Sequence, residues 1–200
     1  MISEIWDQLK WVSPVEWIGM VTGITGVYLS IKEKLWAWPF FILCYLSYVY
    51  LSWDANLYAA LLLNIVFIFI SIYGWSNWIK SSQREDSVIH IQHTPKAHFL
   101  RVLGLVATFT FIIGWVLTQY TNAYLPYLDA FATSCAFTAQ WMLSRKYIEN
   151  WLCWILADCV YVYLWSAQGF YVSAVLFIMF ILLAIKGWFE WKRTINIRLA

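Results

Sequence analysis

The sequence predicts an all-α integral membrane protein. Seven transmembrane helices are expected in a three-plus-one-plus-three arrangement of parallel repeats, with the N-terminus outside and the C-terminus cytoplasmic. Three observations carry this. Of 200 residues, 62% are hydrophobic and only 12% charged, against about 25% charged in an ordinary soluble domain; the apolar residues fall in runs of about 20, the length that crosses a bilayer as a helix. The chain matches itself at one fixed offset of 113 residues. Its lysines and arginines crowd onto one set of loops.

In chain order, Met1 to Lys10 is of mixed character and lacks a signal-cleavage pattern, so the first span is expected to be retained. That span runs from about Pro14 to Ile31, the second from Leu35 to Trp53 and the third from Asn56 to Ile79. A polar stretch, Lys80 to His98, follows. The fourth span is about Phe99 to Gln119, the fifth Tyr124 to Ser144, the sixth Glu149 to Ala167 and the seventh Phe170 to Gly187. Strands are excluded as spanning elements, because an open sheet leaves backbone groups unpaired in lipid.

The repeat is anchored by Gly74-Trp75-Ser76-Asn77-Trp78, which returns as Gly187-Trp188-Phe189-Glu190-Trp191. In the same register Trp38 meets Trp151, Tyr48 meets Tyr161, Phe67 meets Phe180, and Gly19, Gly23 and Gly26 meet Ala132, Ala136 and Ala139. A run of matches in one register marks an internal duplication. It covers spans one to three and five to seven. The fourth matches neither, so a single connecting helix brings the second triplet in with the same direction as the first, a known transporter plan. The expected units are a first three-helix repeat over 1–79, a cytoplasmic loop and linker helix over 80–119, and a second repeat with a cytoplasmic tail over 120–200.

Orientation follows from the positive-inside rule. One face holds Lys32, Lys34, Lys80, Arg84, Lys96, Arg101, Arg145, Lys146, Lys186, Lys192, Arg193 and Arg198, and the other holds only Lys10. The first face is expected in the cytoplasm. Both Gly-Trp motifs then sit at the inner interface, where Trp75, Trp78, Trp188 and Trp191 are expected to anchor and Gly74 and Gly187 to permit close helix packing.

Chemistry is sought at polar residues inside the spans, since each costs a few kcal/mol at the bilayer centre on insertion scales and faces a cavity or a partner. Asp158 is central in span six. With Trp154, Tyr161 and Trp165 it makes one helix face, an acid between aromatic rings that suits a flat organic cation. The competing role is a tie to a neighbouring hydroxyl. In span five, Asp129, Thr133, Ala136 and Gln140 share a face. Gln140 suits a carboxamide or hydroxyl, or else glues helices together, and Asp129 is peripheral, a gate or a solvated residue. Asn64 is central in span three. Tyr45 and Tyr48 hold the repeat positions of Asp158 and Tyr161 and are placed to wall the opposite side of a cavity, and Trp151 lies near its inner end.

Other classes find no support. The four cysteines (Cys44, Cys135, Cys153, Cys159) lie in apolar runs without ligand spacing. His90, His93 and His98 lie in a polar stretch that reads as a solvated loop rather than a metal site. No phosphate-cradling glycine loop with lysine occurs, no nucleophile–base pair is legible, and the basic residues do not read as a nucleic-acid patch. No cofactor or metal is expected.

Leu57-Tyr58-Ala59-Ala60-Leu61-Leu62-Leu63-Asn64, running on to Ser71-Ile72-Tyr73-Gly74-Trp75-Ser76-Asn77-Trp78, resembles the PnuC family of bacterial vitamin transporters. So does Arg145-Lys146-Tyr147-Ile148-Glu149-Asn150-Trp151-Leu152-Cys153-Trp154. The likeness covers about Val15 to Lys192. It implies a fold similar to SWEET sugar transporters, facilitated diffusion of nicotinamide riboside across the bacterial inner membrane, trapping by a cytoplasmic vitamin kinase, and a homotrimer with one pathway per protomer. Family members that carry nicotinamide riboside usually have Gln where Asn64 stands, some have Asn where Cys44 stands, and some have Asn where Asp158 stands. Thiamine, also flat and monocationic, is the alternative substrate. A non-transporting membrane receptor or scaffold is the alternative of another class, and an integral-membrane enzyme ranks third.

Overall fold

The protein is described from a computed structural model covering residues 2–55, 57–83 and 90–199. Asn56, the expected start of the third span, and Arg84 lie outside the described residues. The described chain is helical: α1 Ile2–Trp11, α2 Pro14–Ile31, α3 Ala37–Asp54, α4 Tyr58–Gln83, α5 Lys96–Tyr120, α6 Pro126–Ser144, α7 Asn150–Ala167 and α8 Tyr171–Leu199. Seven of these overlap the seven expected spans, with ends that differ.

Three helices carry stretches long and apolar enough to cross a membrane: Ala60–Ser81, His98–Tyr120 and Tyr171–Ile197. The helices α2, α3, α6 and α7 have 18, 18, 19 and 18 residues, about 27 Å each at 1.5 Å per residue. They carry more of the small, hydroxyl and tyrosine residues that face inward.

α1 was not expected as an element. Its Gln8 clasps the α7–α8 turn: Nε2 donates to the Gly169 carbonyl at 2.6 Å, and Oε1 accepts from the Val172 N–H at 3.2 Å. α2 starts at a conventional cap, with Ser13 accepting from the Glu16 N–H at 3.2 Å and Pro14 in the first turn. Two helices outrun the spans expected for them. α4 continues past Ile79 to Gln83, and α8 continues past Gly187 to Leu199. Hydropathy marks where lipid ends, not where a helix ends, and the added turns of α8 bury Trp191 and Ile195 in the core.

The repeat is visible in the helix bounds. Shifted by 113 residues, α3 falls on α7 at both ends, α2 and α6 finish together, and α4 and α8 start together. The turns after α2 and α6 each hold one non-glycine residue in the left-handed region, Glu33 with φ 53° and Lys146 with φ 54°.

Six helices form a closed ring. α2 packs on α3, α3 on α4, α4 on α6, α6 on α7, α7 on α8, and α8 on α2. α5 packs on α6 outside the ring, and α1 packs on α8.

One end of the ring is plugged by tryptophans. Trp38 meets Trp78 edge-on with centroids 5.3 Å apart, and Trp151 meets Trp191 in the same way at 5.3 Å. Gly74 and Gly187 make room for this. A Cβ on Gly74 would stand 2.2 Å from the Trp38 ring, and one on Gly187 would stand 2.6 Å from the Trp151 ring. Each repeat also bonds to the other: Trp78 Nε1 donates to the Leu143 carbonyl at 3.3 Å, and Trp191 Nε1 donates to the Ile31 carbonyl at 3.2 Å. Trp78 and Trp191 are 2% and 1% exposed, Trp188 packs against the same core, and Trp75 is exposed.

The stretch 90–95 was expected to be a solvated loop and is instead docked. Ile91 is buried in the tryptophan core. The Gln92 N–H donates to the Lys146 carbonyl at 3.1 Å, and the Gln92 carbonyl accepts from the Ile148 N–H at 3.0 Å. Glu149, the residue before α7, accepts from the Thr94 N–H at 2.8 Å and from its hydroxyl at 2.7 Å, and its other oxygen lies 2.8 Å from His93 Nδ1. An apolar residue amid polar ones supplied the anchor. Among the described residues no group of three metal-ligating side chains forms.

Candidate functional site

The ring encloses a cavity of about 210 Å³, and all six of its helices line it. α2 contributes Gly19, Gly23, Val27 and Ser30, the face left by small residues. α3 contributes Phe41, Cys44, Tyr45 and Tyr48; α4 contributes Asn64 and Phe67. Across the cavity stand Ala136 and Leu143 of α6, Trp151, Trp154, Asp158 and Tyr161 of α7, and Phe177, Phe180 and Ala184 of α8.

Asp158 is the one carboxylate on this wall. It is 3% exposed, and no described residue gives it a hydrogen bond or an ion pair. Carboxylates in a low-dielectric site stay ionised only with a compensating charge or donor. The competing role, a tie to a neighbouring hydroxyl, is therefore not what the geometry provides. The carboxylate is open to whatever enters the cavity.

The aromatic walls are packed ring on ring. Tyr45 stacks on Phe67 with centroids 4.9 Å apart and planes 15° apart, and Tyr161 stacks on Phe177 at 4.9 Å and 30°. The Tyr161 hydroxyl lies 3.0 Å from Thr133 Oγ1 of α6, which fixes the ring's direction. Such rings hold a flat solute between faces, and a cation gains further from their quadrupoles. Asn64 binds its own helix through Nδ2, which donates to the Ala60 carbonyl at 2.8 Å. That leaves its carbonyl oxygen for a ligand.

Other expected residues stand differently. Gln140 is fully buried between Ala136 and Leu143 on the cavity face of α6, but its amide turns to α4, where Nε2 donates to Ser71 Oγ at 3.1 Å. Its Oε1 is buried without a partner, and Gln140 does not line the cavity. Trp165 shares the α7 stripe but packs edge-on against Phe170 at 5.4 Å, away from the lining. Asp129 is half-buried in the first turn of α6 and also off the lining. Trp151 reaches the cavity from the tryptophan plug, 1% exposed.

Phe177 and Phe180 were not among the expected site residues. They occupy the repeat positions of Asn64 and Phe67, so the register already pointed to them. Gly19 and Gly23 were read only as small residues. Their spacing of four on one helix face marks the wall where Tyr48 and Cys44 approach, 3.2 Å and 3.1 Å from the positions of added Cβ atoms.

Residues 13–193 match the family model described as nicotinamide mononucleotide transporter. The nicotinamide riboside transporter PnuC of Escherichia coli K12 is 24% identical over 207 residues, covering 92% of this chain and 85% of that protein. PnuC of Haemophilus influenzae is 25% identical, covering 98% and 87%. The riboflavin/roseoflavin transporter RibM of Streptomyces davaonensis is 22% identical, covering 87% and 82%. A crystal structure of the vitamin B3 transporter PnuC superposes with a TM-score of 0.74 at 21% identity, covering 98% of this chain and 89% of that one, which establishes the shared fold. With its match running through all six helices of the ring, the chain belongs to the nicotinamide mononucleotide transporter family, the PnuC-type membrane transporters.

Proposed function

We propose that this chain carries a small, flat, cationic vitamin, nicotinamide riboside above all, through the ring by facilitated diffusion. It is a transporter and not an enzyme, a multi-pass protein of the bacterial inner membrane. The single observation behind the substrate class is Asp158, an unpartnered carboxylate inside an aromatic cavity. The pyridinium of nicotinamide riboside would supply the missing charge, Tyr45, Tyr48, Trp154 and Tyr161 would face its ring, and the Asn64 carbonyl would accept from its amide or ribose hydroxyls. Gln140 would act from behind the wall through the position of α4. Asp129 would serve the outer vestibule. PnuC relatives named for nicotinamide riboside support the choice of vitamin.

In this reading α2 to α4 and α6 to α8 are parallel triplets over 1–79 and 120–200, joined through the loop and linker helix of 80–119. The N-terminus is outside and the twelve-residue basic face is cytoplasmic. Rocking one triplet against the other alternates access to a fixed site. The tryptophan plug then closes the cytoplasmic end, and the cavity is reached from the outer side. A homotrimer, with a cytoplasmic kinase that traps the vitamin, completes the picture.

The test is uptake of labelled nicotinamide riboside into proteoliposomes. Asp158→Asn keeps the side-chain shape and removes the charge, and it is expected to cut uptake at least tenfold. Wild-type uptake by Asp158→Asn sinks the charge-neutralisation role. Preferential binding of riboflavin, a neutral ring system, by wild-type protein and by Asp158→Asn alike would move the substrate toward that named for RibM. Binding of nicotinamide riboside without flux would instead make the protein a receptor.

A further inference from the structure

A second hollow lies outside the ring, where α4 and α5 fail to meet. It is a crevice of about 520 Å³ between α4, α5 and α6. Its walls are Val66 and Ile70 of α4, Val102, Leu105 and Phe109 of α5, and Trp141 of α6. Apart from the Thr138 hydroxyl and the Trp141 indole N–H, the lining residues are apolar. A hollow of this kind in a membrane helix bundle takes an acyl chain.

What fixes the occupant is the end of the crevice. Arg145, one turn beyond Trp141, lays its guanidinium over the Trp141 ring at 5.4 Å. Its Nη2 donates to the hydroxyl of Tyr73 at 2.8 Å, and Tyr73 continues the α4 stripe of Val66 and Ile70. Its Nε is buried and has no partner, and no described carboxylate pairs with it. His98 continues the α5 stripe of Val102 and Leu105 to the same end, 3.2 Å from the Tyr147 hydroxyl. The crevice therefore has an apolar length and, at one mouth, a guanidinium held on Trp141 and Tyr73 with no carboxylate beside it among the described residues.

We infer that the crevice between α4 and α5 is a binding site for an anionic phospholipid, with an acyl chain along Val66, Ile70, Val102 and Leu105 and its phosphate on Arg145. A guanidinium forms strong, directional bonds to phosphate oxygens, and basic residues at the ends of membrane helices are where such head groups bind. The site borders the transport cavity. Phe137 of the crevice wall touches Phe67 of the cavity wall, with centroids 4.7 Å apart, so an occupant sets how α4 rests on α6.

Detergent-solubilised protein is titrated with dioleoyl phosphatidylglycerol or dioleoyl phosphatidylcholine, which share chains and differ in charge. Bound lipid is counted by native mass spectrometry. One phosphatidylglycerol per chain is expected, retained at least tenfold better than phosphatidylcholine. Arg145→Gln removes the charge and Ile70→Trp fills the apolar length; each is expected to abolish retention, while Lys192→Gln leaves it unchanged. Equal retention of the two lipids overturns the assignment, and so does wild-type retention by Arg145→Gln and Ile70→Trp. An oligomer that Ile70→Trp dissociates, with no lipid retained by wild-type protein, overturns it in favour of a second copy in the crevice.

Discussion

Lys146 Nζ lies 2.8 Å from Glu33 Oε2, and these two residues are each other's equivalents in the repeat, 113 positions apart. Both occupy the left-handed region, both follow the first helix of a triplet, and the ammonium also sits 4.9 Å above the Trp78 ring. A duplicated position has diverged into opposite charges, and the pair now crosses the line between the repeats.

A double-mutant cycle on Glu33→Gln and Lys146→Gln should therefore show coupling. The pair is mostly shielded, with side chains 11% and 24% exposed, so about 1 kcal/mol is expected, the upper part of the surface range. Reversal to Glu33→Lys with Lys146→Glu should recover most of what either reversal alone loses. Thermal unfolding in detergent measures both, and strictly additive losses would show that the contact carries no energy.

Gly74→Ala and Gly187→Ala should both destabilise. The nearest ring atoms would stand 2.2 Å and 2.6 Å from the new methyls, and an indole in a packed core has no room to retreat. Overpacking of this kind costs typically about 1–3 kcal/mol. Gly104→Ala is the control, since nothing lies within 4 Å of its added Cβ. Equal melting temperatures for Gly74→Ala and Gly104→Ala would contradict the packing.

Trp78→Phe and Trp191→Phe remove one buried donor each; the Ile31 carbonyl loses its indole partner, while the Leu143 carbonyl keeps the Lys146 N–H at 3.0 Å. About 1–3 kcal/mol is expected for Trp191→Phe and less for Trp78→Phe, along with loosening of the plugged end. Faster hydrogen exchange at the ends of α2 and α6 checks this, and unchanged exchange rules it out.

Gly23→Val should block the cavity without unfolding the ring. Its Cβ would meet Cys44 Sγ at 3.1 Å and the Phe180 ring at 3.4 Å, contacts that a shift of a few tenths of an ångström relieves. The added methyls then occupy ligand space. Binding of nicotinamide riboside, followed by calorimetry, should weaken at least tenfold while the melting temperature moves little.

Glu149 gives a pH signature. Burial raises its carboxyl pKa, but the hydrogen bonds from Thr94 and His93 outweigh burial and hold it below the ordinary 4.5. The unfolded chain thus binds the proton more readily, and the tie is fully present above the ordinary value and lost as pH falls through the depressed one. Hydrogen exchange at residues 90–95 should rise as pH is lowered through that window, after correction for intrinsic rates. In Glu149→Gln that step should vanish.

What the sequence made legible was whatever polarity and repetition record. An acid within an apolar run has to be accounted for, so Asp158 stood out; the offset aligned Tyr45 with it and Tyr48 with Tyr161. A helix face can be read from spacing, but a rotamer cannot. Gln140 lies on the expected face of α6 and still turns its amide to Ser71, because the partner hydroxyl belongs to another helix. Phe177 and Phe180 passed unnoticed because phenylalanine in a membrane helix is ordinary facing either lipid or ligand. The docking of Ile91 was hidden for the opposite reason, a lone apolar residue in a stretch whose average is polar. α1 escaped because ten mixed residues give no spanning signal, and its role depends on Gln8 reaching a turn more than 160 residues away.

The contact between α2 and α8 joins the first helix of the ring to the last in chain order. Without α8 the ring stands open between α2 and α7, and Gly23 of α2 lacks the Phe180 ring that faces it. A chain that stops after α7 therefore has most of its pathway residues and no enclosed pathway. Closure of the circle thus rests on one contact, the packing of α8 on α2.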